Sequence, residues 1–500
     1  MRSALCLRFS SWSTSAKIPR SILKDVFHKY RKVCDRKNVR RIRYPTVLLC
    51  GSFVFSPDMS VTQISPPETV SPKEVPAVRL WLVSWLDTVL VLVHCVRTLL
   101  VFTPLLLLSP LALLPAPLRP SSLLLELLVW TLQTAGPAYI KLSQWASTRH
   151  DLFPASVCRS LSRLQTQTNP HSWQETSVLL EQEWGRDWEE KVTLERKVVA
   201  SGCCGQVYRG QLREGRQVAV KVVHPHLASS IHLDLALMRA VASTLTRLLP
   251  GLEWLNLSAA VGEFESLLQS QVDLRTEASN LLNFRQNFSD EAEVCFPEPV
   301  LSLCGETVLV EDWMEGESIQ DYLLHPDTKL KARLAKVGVS MLLKMVFADN
   351  YWHGDLHPGN LLVTESGKLC VLDAGIAASL STADRENIVL TFRAIVTGDG
   401  ARVGELFLDR SHHECQSREA FIGEIKEIVD KARAAQLSLD RIDVPSLLQS
   451  VFSTLIRHKV RLDANFSSVI ISIAVVEGLG RALDPTLDLI PTALPYIMKT

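Results

Sequence analysis

Asp355, Asn360 and Asp373 are three oxygen-bearing side chains in a spacing that can hold a divalent cation. Asn360 follows Asp355 by five positions in His353-Gly-Asp355-Leu-His357-Pro-Gly-Asn360, and Asp373 closes the run Leu369-Cys-Val-Leu-Asp373-Ala-Gly375. Carboxylate and amide oxygens are the ligands Mg²⁺ prefers, and it fills its other positions with phosphate oxygens or water. The set therefore suits phosphoryl chemistry, in which positioning and charge neutralisation do most of the work. Asp355 is placed to orient or deprotonate an attacking hydroxyl or water, while Asn360 and Asp373 are the metal ligands. His353 and His357 do not make a zinc pair, because Pro358 and two glycines forbid the helical face that such a pair needs; His353 reads instead as a structural histidine.

Upstream lies the matching phosphate machinery. Ala200-Ser-Gly202-Cys-Cys-Gly205-Gln-Val207 fits a glycine loop of the form G-x-G-x-x-G-x-V, with Ala200 in place of the first glycine. Gly202 and Gly205 let backbone N–H groups approach phosphate oxygens with no Cβ in the way. Val218-Ala-Val-Lys221 follows, matching the strand whose lysine pairs with nucleotide phosphates. Glycine loop, lysine strand, Asp/Asn loop and Asp-x-Gly occur in the order of a protein kinase, so ATP and Mg²⁺ are the expected cofactors.

The elements that must carry these residues are legible around them. Val192 to Ala200, Gln206 to Gln211 and Val218 to Val223 read as three antiparallel strands. Leu309 to Gly316 reads as a strand leading to a hinge, with Met314 beside an adenine. No Arg precedes Asp355, Ala374 stands where kinases carry Phe, and no Ala-Pro-Glu follows Gly375. An activation loop of the phosphorylation-switched kind is therefore not expected. Helical periodicity resumes instead from Ala383 through Val396 and from Ser417 to Ala434.

The whole 500-residue chain is formally neutral, yet residues 1–44 hold 13 Lys or Arg against Asp25 and Asp35, so the remainder carries −11. That remainder has no basic face to spare for a nucleic acid. The acid-poor opening has the composition of a mitochondrial transit peptide. Thr98 to Leu118 contains no charged residue over 21 positions, enough to cross a bilayer core. Because Pro104, Pro110, Pro115 and Pro117 each remove a backbone donor, a regular helix is expected from Leu80 to Thr103, within one membrane-embedded or interfacial region from Leu80 to Leu118. The 11 cysteines form no zinc-spaced pair and read as reduced thiols.

Over roughly residues 125–490 the chain resembles the UbiB, or aarF-domain-containing, family of atypical kinases. Lys141-Leu-Ser143-Gln144 and Asp151-Leu-Phe-Pro154 match its Lys-x-Gly-Gln region, with Ser143 for the glycine, and Lys141 and Gln144 share a helix face. Gln271-Val-Asp273 and Glu277-Ala-Ser-Asn280 match a second segment, in which Gln271 has replaced an acid; Glu277 is the candidate partner of Lys221. Glu477-Gly-Leu-Gly-Arg481 resembles a structural helix of the family. The resemblance implies an α+β, bilobal protein-kinase-like fold with a helical N-terminal extension and a membrane segment. It divides the chain into a leader (1–44), a linker (45–79), a hydrophobic region (80–118), a helical extension (119–191), an N-lobe (192–314) and a C-lobe (315–500).

The resemblance also implies ATP binding, with hydrolysis or phosphotransfer, in lipid and ubiquinone metabolism at the mitochondrial inner membrane. Lipid or ubiquinone intermediates and biosynthetic enzymes are the implied partners. Two other readings stay open. The His353–Asn360 octamer is also close to the catalytic loop of small-molecule phosphotransferases such as aminoglycoside and choline kinases, and a nucleotide-binding scaffold without turnover would keep the same ligands.

Overall fold

The computed structural model describes residues 77–113, 121–150, 152–164, 170–225, 227–248, 255–409, 411–413, 415–437, 444–487 and 489–499. The basic leader, almost all of the linker and Asp151 lie outside the described residues. The first helix, α1 (Ala77–Leu108), passes through Pro104 and tightens into a 3₁₀ turn at Ser109–Leu113. The helix expected to end at Thr103 thus continues for another turn. A proline costs the helix the bond to one carbonyl, that of Leu100; next to it, the Thr103 hydroxyl donates to the Leu99 carbonyl at 2.7 Å. Termination waits for the second proline, Pro110.

From α1 into the 3₁₀ turn, the 21-residue stretch Val91–Leu111 is long and apolar enough to span a membrane, and only 6% of its apolar window is buried by the rest of the protein. Val91, Leu92, Val93, Val96, Leu99 and Leu100 are all exposed. A polar contact ties the helix to the body: His94 Nε2 lies 2.8 Å from Asp234 Oδ1, and Asp234 is buried.

Next come α2 (Ser121–Ala135), α3 (Pro137–Thr148), α4 (Ala155–Leu161) and α5 (Trp173–Trp184). Gly136, at φ +133°, makes the corner between α2 and α3 in a backbone region that side chains avoid. Ser172 and Glu175 form a reciprocal capping box at the start of α5. Strands β1 (Val192–Ser201), β2 (Gly205–Leu212) and β3 (Gln217–Val223) then form an antiparallel meander. Three helices follow: α6 (Leu227–Leu248), α7 (Leu257–Val272) and α8 (Leu274–Asn287). Asp273 breaks α7 from α8 and caps the latter by accepting from the Arg275 N–H at 3.0 Å.

After the short β4 (Val294–Cys295), β5 (Val308–Asp312) completes a four-stranded sheet in the order β1-β2-β3-β5. Leu180 of α5, Trp188, Tyr208, Val218, Val220 and Val310 are buried in a separate small core on one face of this sheet.

The second half opens with β6 (Gly316–Ser318), α9 (Thr328–Leu343) and β7 (Trp352–His353). It continues with β8 (Leu361–Thr364), β9 (Leu369–Val371) and β10 (Ala377–Ala378). Strands β4, β9, β8 and β6 pair in that order, and β7 pairs with β10. The remaining elements are α10 (Thr382–Thr397), α11 (Gly400–Asp409), β11 (Ser411–His413), α12 (Arg418–Leu437), α13 (Val444–Arg457), β12 (Val460–Leu462), α14 (Ala464–Leu483) and α15 (Leu489–Lys499). Helix α14 is also apolar enough to cross a membrane, but the window Asn465–Leu483 is 56% buried. It is a core helix packed on α9.

The main hydrophobic core runs from α3 and α6 through α8 and α9 to α14. The architecture is thus a smaller lobe built on the first sheet and a larger, mostly helical lobe, joined through residues 313–315.

Candidate active site

Strand register fixes the centre of the cleft. Val207 faces Lys221 across β2 and β3, and Lys221 faces Leu309 across β3 and β5. Alternation along β3 sends Val218, Val220 and Val222 into the small core and Lys221 to the opposite face. There its ammonium meets Glu277 Oε1 and Oε2 at 2.8 and 2.7 Å and Asp373 Oδ2 at 3.2 Å.

Glu277 reaches this point because α8 buries Leu274, Glu277, Ala278, Leu281 and Phe284 on one stripe. Burial pushes its carboxyl up to about 6 despite the lysine beside it. Asp373 is shifted the other way. Its burial is outweighed by Lys221 and by the Gly375 N–H, which donates at 2.8 Å, so its carboxyl is held well below the usual range. For Lys221 the two carboxylates likewise outweigh burial and keep the ammonium charged. A methyl group on Gly375 would sit 3.0 Å from Asp373 Oδ1, so the bare backbone there gives the carboxylate its room.

The glycine loop is a tight turn between β1 and β2, closed by Gly202 N–H donating to the Gly205 carbonyl at 2.9 Å. Ala200 stands opposite Val207 at its base. A Cβ on Gly205 would lie 2.5 Å from the Val222 carbonyl, so only glycine lets β2 start this close to β3. Cys203 and Cys204 occupy the tip, with their sulfurs 3.9 Å apart.

Lys141 of α3 points into the same space. Burial works against its charge, but Cys204, Cys203, Asp355 and Asp373 are its electrostatic neighbours and together raise its affinity for the proton. A hydrogen bond from Cys204, aided by Lys141, lowers the Cys203 thiol to about 6.

Below the loop, His353 is fully buried. Its Nε2 donates to the Asp373 carbonyl, and its Nδ1 accepts from the Asp355 N–H at 3.1 Å. One imidazole therefore ties the Asp355 turn to the Asp373 turn. Asn360 Nδ2 donates to the Asp355 carbonyl at 3.2 Å, which spares its amide oxygen. His357 caps the turn by accepting from the Gly359 N–H and takes no part in a histidine pair.

Lys141, Ala200, Gly202, Gly205, Val207, Lys221, Glu277, Asp355, Asn360 and Asp373 thus gather around one cleft. Met314 lies half-buried on the segment joining the lobes, and Gln144 half-buried one turn along from Lys141. Among the described residues, neither of these two side chains makes a hydrogen bond to the cluster.

Three participants were not singled out as site residues from the sequence. The first two are His171 and His224. The Gly202 carbonyl can only accept, so His224 Nε2 donates to it, at 2.8 Å. His224 Nδ1 is then an acceptor, and His171 Nδ1 donates to it at 2.7 Å. His171 Nε2 in turn accepts from the Thr176 hydroxyl at 2.8 Å. The glycine loop therefore hangs from a chain of hydrogen bonds that runs through both imidazoles to Thr176 of α5. The third is Asn280, one turn after Glu277, which donates to the Ala374 carbonyl at 2.8 Å and accepts from the Tyr351 hydroxyl at 2.7 Å. Its spacing from Glu277 was the available signal, since a helix presents both on one face.

Comparison with known proteins identifies the family. The ABC1 atypical kinase-like domain matches residues 163–407, and the UbiB helical domain matches residues 425–488. A mitochondrial ABC1 family protein of Saccharomyces cerevisiae is 31% identical over 451 residues, covering 76% of this chain and 68% of that one. A probable protein kinase UbiB of Vibrio cholerae is 32% identical over 378 residues, covering 74% and 69%. The solved complex of Rv3197 with erythromycin from Mycobacterium tuberculosis aligns at 19% identity and a TM-score of 0.45, over 68% of this chain and 90% of that one. With a kinase-like domain followed by the UbiB helical domain, and with relatives of about one-third identity matched over most of their length, the chain belongs to the ABC1/UbiB family of atypical kinases.

Proposed function

We propose that the chain binds Mg-ATP in this cleft and transfers or hydrolyses its terminal phosphate, serving lipid and ubiquinone metabolism at the mitochondrial inner membrane. The observation that carries the reading is the Lys221 ammonium held between Glu277 and Asp373 at 2.7–3.2 Å, beneath a glycine turn.

The residues fit the absent groups. Asn360 and Asp373 offer hard oxygen ligands, and among the described residues no cluster of three or more His, Cys, Asp or Glu could hold a metal alone. That donor set suits a cation completed by phosphates and water. Asn360 and Asp373 would hold Mg²⁺, which would supply charge neutralisation to the phosphates. Lys221 positions the phosphates, with Glu277 holding its ammonium in place. The N–H groups of the Gly202–Gly205 turn are available to phosphate oxygens, and Asp355 orients the attacking hydroxyl or water. Met314 lies along the base, and the helix bearing Lys141 and Gln144 narrows the entrance, which favours small or lipid-borne acceptors over folded proteins.

The reading assigns residues 1–44 to import, 80–118 to the bilayer, 119–191 to the extension over the cleft, and 192–314 and 315–500 to the lobes. The mitochondrial yeast relative and the exposed apolar face of α1 support the location; the name of the bacterial relative supports the ubiquinone connection.

The test is nucleotide turnover by the full chain with and without vesicles of inner-membrane composition. Asp373→Ala should abolish Mg²⁺-dependent nucleotide binding, and Asp355→Ala should keep binding and lose turnover. Equal thermal stabilisation by Mg-ATP in wild type and Asp373→Ala would overturn the metal assignment.

A further inference from the structure

Glu311 stands on β5 directly opposite Ala219, two positions from Lys221 on β3. Residues paired across antiparallel strands share a face, and alternate residues along a strand do too. Ala219, Lys221 and Glu311 therefore project to the cleft side of the sheet. The neighbours on β5 agree, since Val308 and Val310 are buried on the opposite face in the small core. Glu311 accordingly has Glu277, Lys221 and Asp373 as its electrostatic neighbours, and burial, reinforced by Glu277, raises its carboxyl well above the usual range.

Its Oε2 is shielded from solvent and has no hydrogen-bond partner among the described residues. Lys221, the obvious cation, is already taken by Glu277 and Asp373. A buried carboxyl oxygen left open beside a satisfied ion pair calls for a partner that arrives from outside.

Position says which partner. Lys221 and Asp373 mark the phosphate end of the cleft. From Glu311 the chain runs through Asp312 and Trp313 to Met314, on the segment that joins the lobes. A nucleotide with its phosphates at Lys221 and its base toward Met314 passes Glu311 with the edge of the base. We infer that Glu311 is a base-selecting residue, whose unpartnered oxygen accepts an N–H from the exocyclic amine of a 6-aminopurine and disfavours a 6-oxopurine. The inference rests on the proposed nucleotide site and adds to it the group that reads the base. With the proton of the raised carboxyl on Oε1, a 6-oxopurine would bring a second acceptor against Oε2 and leave both unpaired, and that mismatch is what produces discrimination.

The experiment measures the affinities of Mg-ATP and Mg-ITP for the full chain by displacement of a fluorescent nucleotide. Wild type, Glu311→Gln and Glu311→Met are compared, with Glu311→Ala as a second truncation should the Met variant not fold. The expected wild-type preference for ATP is about tenfold, the scale of one hydrogen bond gained or refused. Glu311→Gln, which keeps a carbonyl oxygen, retains most of that ratio, whereas Glu311→Met loses most of it. Glu311→Met also raises the melting temperature of the ligand-free protein, because it removes the open acceptor. A wild-type preference for ITP, or an ATP:ITP ratio that Glu311→Met and Glu311→Ala leave unchanged, overturns the inference while leaving nucleotide binding intact. Failure of both triphosphates to bind overturns the nucleotide site itself, and this inference with it.

Discussion

His224 donates from Nε2 to the Gly202 carbonyl at 2.8 Å, so the turn that faces the cleft is suspended from an imidazole on the far side of β3. The two Nδ1 atoms, 2.7 Å apart, share one proton between them, so the ring beside His224 keeps it in place only while at least one of the two imidazoles is neutral. If both rings carried two protons, two N–H groups would point at each other across 2.7 Å.

Acid should therefore loosen the loop. Burial, and then His224, lower His171 to about 4 from an ordinary value of 6.5. A base with a depressed pKa contributes stability that is complete above its unfolded value and is lost as the pH falls toward the folded one. Between pH 6.5 and 4 the wild-type melting temperature should drop by several degrees more than that of His171→Gln, at roughly 2–4 °C per kcal/mol for a chain of this size. Parallel curves for the two proteins would show that the imidazole pair does not titrate with folding.

The lysine pair carries the opposite sign. Burial lifts Glu277 to about 6, above its ordinary 4.5, so its contribution to stability is complete below pH 4.5 and is lost as the pH rises through about 6. Glu277→Gln should flatten this part of the profile. Glu277→Ala should cost toward the lower end of the roughly 3–5 kcal/mol typical of breaking a buried pair, because Asp373 remains beside the ammonium. Urea denaturation at pH 5 and pH 7.5 checks both.

Lys141 brings a second positive charge into the field of Asp355 and Asp373. Lys141→Ala should change nucleotide affinity by about fivefold or more, the range of a partly desolvated charge, while changing the melting temperature of the ligand-free protein by no more than a few degrees. Titration with Mg-ATP across a salt series distinguishes the outcomes. An unchanged affinity at every salt concentration would remove Lys141 from the site.

Replacing Leu99 and Leu100, both exposed on α1, with Glu should abolish co-flotation with vesicles of inner-membrane composition and leave Mg-ATP binding within about twofold of wild type. Flotation that survives both substitutions would move the membrane contact elsewhere.

The parts legible from sequence are those written in short-range chemistry. The meander β1–β3 is announced by alternation broken at turns, and the register that seats Lys221 opposite Val207 follows from it. The turn holding Asp355 and Asn360 is fixed by Pro358 and its neighbouring glycines. Choices that depend on a helix rotating against a distant partner were less visible. Several acids near α8 compete for Lys221 in the sequence, and the burial of Leu281 and Phe284 decides for Glu277. His171 and His224 are 53 positions apart and carry no periodic signal; only the docking of α5 onto the sheet brings their rings together. The extra turn of α1 past Pro104 is not legible in the sequence, because a proline removes only one helical bond and does not by itself end the helix.

The contact between His94 and Asp234 changes what α1 is. An apolar segment joined only by a flexible tether could be cut away with little effect on the rest. Here, shortened versions of the protein that begin after residue 113 would take from the acid on α6 its hydrogen-bond partner His94, and α6 starts only three residues beyond the imidazole that suspends the glycine turn. Biochemists trimming the chain for solubility should therefore keep the helix and supply detergent, or neutralise the stranded group with Asp234→Asn.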